Sequence, residues 1–362
     1  MQDVSPAEAA DLSLDSRAPQ QLEPGLWRVP VPLPFATQYV NVYLLQGADP
    51  AQGWLLVDCP LGTSRAEAAL RRGLEQARIT PADIRAIVIT HAHPDHLGAA
   101  GYWQRLTGAP VALLALEAQI IAPLWEDLSN HAFLEAARTL SVHGMPADEA
   151  QSLVTRAVQL RRLLEAPAHP QVLAHGQRVR LAGSIFHVYW TPGHADGHLC
   201  LLREDGVLIA GDALLGEMRP TVGMYPWTRS DPLAAQLRSL ALLRDVPARL
   251  VLPGHGHVFA DLQARADALS GQYSRQAVGI ARLLAEAPDG LSVHTLARAL
   301  YPARWHAADS RLVAMAEALA GLEHLRALGR AELVVDAGGL VLYRWAHDGQ
   351  RHTAEEPLPA SA

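Results

Sequence analysis

Two kinds of apolar pattern alternate along the chain. From Leu26 onward come short runs rich in Val, Leu and aromatic residues, LWRVPVPL, VNVYLLQG and GWLLVDCP. Their composition and length predict strands. The stretch SRAEAALRRGLEQA then shows helical spacing, with Ser64 as the expected N-cap. Ile84–Thr90 (IRAIVIT) is continuously apolar, as a strand buried on both faces should be. VALLAL, FHVYWTPG, GVLIAGD and ARLVLPGHG also read as strands. This alternation implies a layered α/β core.

Two segments depart from that rhythm. Within residues 116–168, Ile120, Ile121, Leu124, Trp125 and Leu128 recur at helical spacing, followed by Leu153, Ala157, Leu160 and Leu164, with a break at Gly144–Pro146. An inserted helical hairpin or lid and an ordinary pair of core helices fit this equally well. Residues 271–347 carry three helical stretches and then two β runs joined at Gly338-Gly339, the element order of a winged helix. The expected organisation is a flexible arm over 1–24, a main domain over 25–270 containing the 116–168 insertion, a winged-helix-like unit over 271–347 and a tail over 348–362.

Composition narrows the function classes. The chain has 362 residues, 49% of them hydrophobic and 19% charged, which is a globular balance. A net charge of −7 argues against binding nucleic acid through bulk positive charge. No apolar run is long enough for a transmembrane helix, and the first residues lack a basic start and an apolar segment, so no secretory signal is expected. Cys59 and Cys200 are too few for a disulfide scaffold and read as buried thiols. A cytoplasmic protein fits these features.

The chemistry lies among the 17 histidines. THAHPDHLG places His91, His93, Asp95 and His96 directly after the strand Ile84–Thr90. Three imidazoles and a carboxylate so close together suit a borderline metal such as zinc. Pro94 favours a helix start at that point. That leaves His91 and His93 on the loop and sets Asp95 and His96 at the helix mouth, facing differently, as two metals would require. His194 in TPGH, Asp212 in AGD and His255 in PGH each follow another strand beside Gly or Pro, where α/β sheets place their sites.

With Asp58 in LLVDCP, these motifs resemble those of the metallo-β-lactamase superfamily over roughly residues 26–262. The resemblance implies an αββα sandwich. It implies one zinc held by His91, His93 and His194, a second held by Asp95, His96 and His255, and Asp212 bridging the two. Asp58 would orient a ligand histidine. Manganese or iron in place of zinc stays open. The implied chemistry is hydrolysis by a metal-bound hydroxide, with Asp95 and Asp212 as catalytic residues. No G-x-S-x-G nucleophile motif is present.

Within the superfamily the chain resembles hydroxyacylglutathione hydrolases, lactonases and the β-lactamase-like group. The segment after Asp212 does not match a glutathione-binding pattern. The expected activity is hydrolysis of a small acyl substrate, a thioester, ester or lactone. An endoribonuclease acting on single-stranded RNA and a non-catalytic winged-helix regulator are the alternatives. On the loop after Asp212, Arg219 and Tyr225 are candidate substrate contacts, for an anionic group and an oxyanion respectively, and Trp227 stands beside them. Trp125, His131, Phe133 and His143 are candidate lid residues. His198 reads as a structural hydrogen bonder and His257 as an outer or exposed group. Residues 272–346 contain eight Arg, no Lys and seven Asp or Glu. That balance favours a structural, dimerising or cleft-wall role over DNA reading. Weak RNA gripping and a homodimer stay open, and no membrane partner is expected.

Overall fold

The computed structural model describes residues 18–34, 38–305 and 308–346. Two β-sheets lie face to face. The first runs in sequence order through β1 (Gln20–Glu23), β2 (Leu26–Pro32), β3 (Tyr39–Gln46), β4 (Trp54–Val57), β5 (Ile84–Val88), β6 (Val111–Leu114) and β7 (Gln171–Leu173). It is antiparallel as far as β4 and parallel from β4 to β7. The second contains β8 (Arg178–Leu181), β9 (Ser184–Trp190), β10 (Leu199–Arg203), β11 (Val207–Gly211) and β12 (Leu250–Pro253). Only its β11–β12 pair is parallel.

Side chains that alternate along each strand build the layers. On β4, Leu55 and Val57 point into the space between the sheets, where they join Phe186, Val188 and Leu201 of the second sheet. Trp54 and Leu56 face the opposite way, toward Leu70 and Leu74 of α1 (Ser64–Ala77). Leu208 and Ala210 of β11 face α7 (Pro232–Arg244) and α8 (Leu262–Ala285) through Leu240, Leu243 and Leu269. Helices therefore cover the outer face of each sheet, giving the expected αββα order. Each large apolar side chain buried this way contributes about 1.5–3 kcal/mol.

Between β5 and β6 lie α2 (Pro94–Leu97) and α3 (Ala100–Thr107). The insertion comprises α4 (Ala115–Ile121), a π turn over Ala122–Glu126, α5 (His131–Val142) and α6 (Ala147–Arg161). The C-terminal part follows the anticipated helix–helix–helix–hairpin order: the second half of α8, α9 (Val293–Leu300), α10 (Ala308–Ala327), β13 (Ala331–Val335) and β14 (Val341–Trp345).

Several local expectations change. Thr63 caps α1 in place of Ser64, its hydroxyl accepting from Ala66 N–H at 3.1 Å. The run VALLAL turns helical at Ala115. The arm over 1–24 is not loose throughout: Gln20–Glu23 pairs with β2, and Arg249 donates to Glu23 at 2.8 Å. The rest of that arm, residues 1–17, and the expected tail over 348–362 lie outside the described residues. The boundary expected at 270/271 falls inside α8. Leu262, Ala266, Leu269 and Tyr273 of this helix belong to the second sheet's outer core, whereas Ile280 and Leu284 belong to the core shared by the insertion and the C-terminal helices. This continuous amphipathic stripe ties the two parts together.

Candidate metal centre

Every candidate ligand stands just beyond a strand end, on one rim of the sandwich. After β5, residues 89–93 form a loop and Pro94 opens α2, so Asp95 and His96 sit in that helix's single turn. His194 follows β9, Asp212 follows β11 and His255 follows β12. Gly254 is required there, because a Cβ would lie 2.2 Å from Asp212 Oδ1.

The structure gathers these seven side chains into overlapping groups whose ligand atoms lie within 4.8 Å of one another: His91, His93 and His194; Asp95, His96 and His255; and His91, His96 and Asp212. His91 Nε2 approaches His93 Nδ1 at 2.9 Å. Asp212 Oδ2 lies 3.5 Å from His194 Nε2, 3.7 Å from His96 Nε2 and 3.3 Å from His255 Nε2. Asp95 Oδ2 lies 3.4 Å from His255 Nε2 and 3.9 Å from His96 Nε2. Asp212 therefore sits between the all-histidine group and the mixed group.

The electrostatics divide along the same line. Burial, reinforced by neighbouring imidazoles, pushes His91 well below its ordinary range and His93 down to about 3. Burial also lowers His194. These rings are neutral, the state a metal ligand needs. Burial works the same way on His96 and His255, but there the facing carboxylates of Asp212 and Asp95 outweigh it. His96 is raised well above its ordinary range, and His255 to about 10. Both aspartates are held low by those same imidazoles against the opposing effect of burial.

The ligand rings are fixed from behind. Asp58, at φ +63°, accepts from His96 Nδ1 at 2.8 Å, from Thr90 N–H at 2.8 Å and from the Thr90 hydroxyl at 2.9 Å. His194 Nδ1 donates to Thr221 O at 2.7 Å, and His255 Nδ1 to Tyr39 O at 2.6 Å. Each of these bonds leaves Nε2 as the atom aimed into the site. His198 is structural, as expected: its Nδ1 meets the Thr191 hydroxyl at 2.8 Å, and its Nε2 accepts from Asp212 N–H at 3.0 Å.

The residues fit metal ions on an independent count. His96 Nε2, His194 Nε2 and Asp212 Oδ1 are buried without a hydrogen-bond partner. Orphaned polar atoms are costly in an interior. Three of them converging on one rim, with histidine and carboxylate donors, are what divalent metal ions would satisfy.

Beside His93 and His194 lies a cavity of about 870 Å³. Tyr225 and Trp227 line it, with their rings stacked 5.0 Å apart. Trp125 and Phe133 line it as well, but His131 and His143 do not. His131 is exposed, and His143 stacks on Tyr343. Arg219 is corrected as a substrate contact. It does not line the cavity, and its guanidinium is engaged by Gln276 and, at 2.9 Å, by the buried Glu317 of α10, which also holds Arg304. His257 is half exposed, 3.6 Å from Glu217.

Sequence reasoning missed Glu117. This buried residue at the start of α4 accepts from Ala92 N–H at 2.5 Å and from Gly197 N–H at 2.6 Å. It bridges the His91–His93 loop and the loop after His194. Burial raises its carboxyl to about 7 against those two bonds. A lone Glu in a helical pattern carries no local signal of such a role.

Comparison with known proteins agrees with this geometry. The family model for the metallo-beta-lactamase superfamily matches residues 37–255. The probable metallo-hydrolase YqjP of Bacillus subtilis is 27% identical over 293 residues, covering 75% of this chain and 84% of that protein. An atrochrysone carboxyl ACP thioesterase of Aspergillus terreus is 28% identical over 177 residues, covering 45% of this chain and 52% of the thioesterase, so that match spans about half of the relative. A crystal structure of a metallo-beta-lactamase family protein from Thermus thermophilus is 36% identical, with a TM-score of 0.78 over 90% of this chain and all of that one. A beta-lactamase domain protein from Burkholderia ambifaria shares the fold at 23% identity, with a TM-score of 0.81 over 91% of this chain and 94% of the other.

Proposed function

Starting from the fact that the chain belongs to the metallo-beta-lactamase superfamily and is one of its metallo-hydrolases, we propose that it is a two-zinc hydrolase of a small acyl substrate, a thioester, ester or lactone. The observation carrying this reading is the position of Asp212 between two ligand groups, with Oδ1 orphaned beside the orphaned Nε2 atoms of His96 and His194. His91, His93 and His194 would hold one ion, Asp95, His96 and His255 the other, and Asp212 both. Bound zinc supplies Lewis acidity and brings the pKa of a water toward neutrality.

The chain's own residues do the rest. Asp95 has a second carboxylate oxygen to orient the attacking water and take its proton. Asp58 holds the His96 tautomer with Nε2 toward the site. Tyr225, pushed up to about 12 by burial, keeps its proton and faces the cavity as a donor to the oxygen under attack. The mainly apolar lining of the cavity beside the ligands favours an acyl substrate over a polyanionic RNA strand. The thioesterase relative points the same way.

The test is turnover of a thioester, an ester and a lactone by zinc-loaded protein, beside His93→Ala and Asp212→Ala, with zinc content measured in each. Both variants should lose at least about a hundredfold in kcat/KM and bind less than two zinc per chain. Full activity in either would refute the two-metal reading. Cleavage of single-stranded RNA that disappears in His194→Ala, with no acyl turnover, would replace it with a nuclease.

A further inference from the structure

The cavity beside the ligands is much larger than a short acyl group requires. At about 870 Å³ it lies near the top of the range for small-molecule sites, about 300–1,000 Å³. One end reaches His93 and His194; the far walls come from outside the sandwich. The insertion supplies Trp125, Phe133 and Leu160, and α10 supplies Leu312 and Val313.

The apolar wall is built and held in place. Trp125 and Phe133 have ring centroids 5.6 Å apart, Phe133 and Trp227 5.5 Å, and Trp227 stacks on Tyr225. Four rings thus form one continuous surface. The π turn that carries Trp125 is anchored to the metal loop, because Trp125 Nε1 donates to Ala92 O at 3.0 Å, between His91 and His93. On the opposite side, Met224 N–H donates to Ala316 O at 3.0 Å, and Glu317 holds Arg219, so α10 is fastened to the loop that carries Tyr225. Arg304 also lines the cavity and pairs with Glu317, a carboxylate it shares with Arg219. The lining is mainly apolar, with Arg156 and Ser310 as polar members of the outer walls.

We propose that this cavity binds a large apolar acyl group, decanoyl-sized and not acetyl-sized, and that Val313 on α10 helps set its length. The proposal rests on the acyl-hydrolase reading above and adds the substrate class. The C-terminal unit then acts as the far wall of the substrate site.

Two measurements test it. The first is kcat/KM of the zinc-loaded protein across N-acetylcysteamine thioesters from acetyl to decanoyl. Burial of a methylene favours binding by up to about fourfold, so the series should rise at least about a hundredfold. Val313→Phe should lower decanoyl turnover at least about tenfold more than it lowers acetyl turnover. Phe133→Ala, which enlarges the cavity, should move the optimum toward longer chains. The second is the tryptophan emission maximum in metal-free protein, where Trp125 and Trp227 line the site; 1-decanol should shift it saturably to the blue and 1-butanol should not. A flat chain-length profile in an active enzyme would overturn the cavity assignment and leave the hydrolase intact. If no acyl substrate turns over, the hydrolase reading falls, and the fluorescence measurement decides the cavity alone: absence of a chain-dependent blue shift overturns it.

Discussion

Replacing Asp58 with Asn tests how far the site depends on the residue behind it. The change keeps shape, and Asn tolerates the left-handed backbone at φ +63°, so strain does not confuse the result. One carboxylate oxygen becomes an amide NH₂. If the NH₂ replaces Oδ1, it confronts Thr90 N–H, and a buried donor loses its acceptor. If it replaces Oδ2, it confronts His96 Nδ1 and forces that nitrogen to accept, which moves the ring proton to Nε2, the ligand atom. Either orientation costs about 1–3 kcal/mol, equivalent to about 10–100-fold in metal affinity. The assay is zinc titration against a chromophoric chelator, which resolves two affinities. The Asp95, His96 and His255 group should weaken by that factor, and the His91, His93 and His194 group by less than about threefold. Thermal unfolding of the metal-free variant checks that the fold survives. Both affinities within about twofold of wild type would refute the claim that Asp58 controls the tautomer.

Two further outcomes follow from the same geometry. Glu117→Gln places an amide donor against either Ala92 N–H or Gly197 N–H; zinc affinity of the His91, His93 and His194 group should fall about tenfold or more, and two unchanged zinc affinities would refute the bridging role. Metal uptake should also release protons unequally. His255 titrates near 10 in the metal-free protein and His96 is raised too, so both are protonated at pH 7.5 and must lose a proton to bind zinc through Nε2. His91, His93 and His194 are already neutral there. Calorimetry in buffers of different ionisation enthalpy should therefore show about two protons released with zinc in the mixed group and about none with zinc in the histidine group. Affinity of the mixed group should rise with pH up to about 10. Equal release from both groups would contradict this division.

The candidate ligands were legible in the chain because their residue types cluster locally and resemble a known family's motifs. His91, His93, Asp95 and His96 fall within one loop and one helical turn, and His194, Asp212 and His255 each sit at a strand end marked by Gly or Pro. The layered α/β core was legible for a related reason: period-2 alternation and short apolar runs report local burial. Edge strands β7 and β8 escaped because QVL and RVRL are only three and four residues long.

What tertiary structure alone decided is which distant groups meet. Arg219 looks like a substrate contact on its loop, yet it is bound to Glu317, 98 residues away. Glu117 has no local signature, yet it joins backbone N–H groups 25 and 80 positions distant. No helix among the described residues is long and apolar enough to cross a membrane, which apolar run lengths had already indicated. The apolar cavity, by contrast, is lined jointly by the insertion, the loop after Asp212 and α10, which are far apart in sequence. Periodicity shows that a residue is buried on a given face of its own element. It does not show which other element covers that face, because the partner is selected by packing over the whole chain.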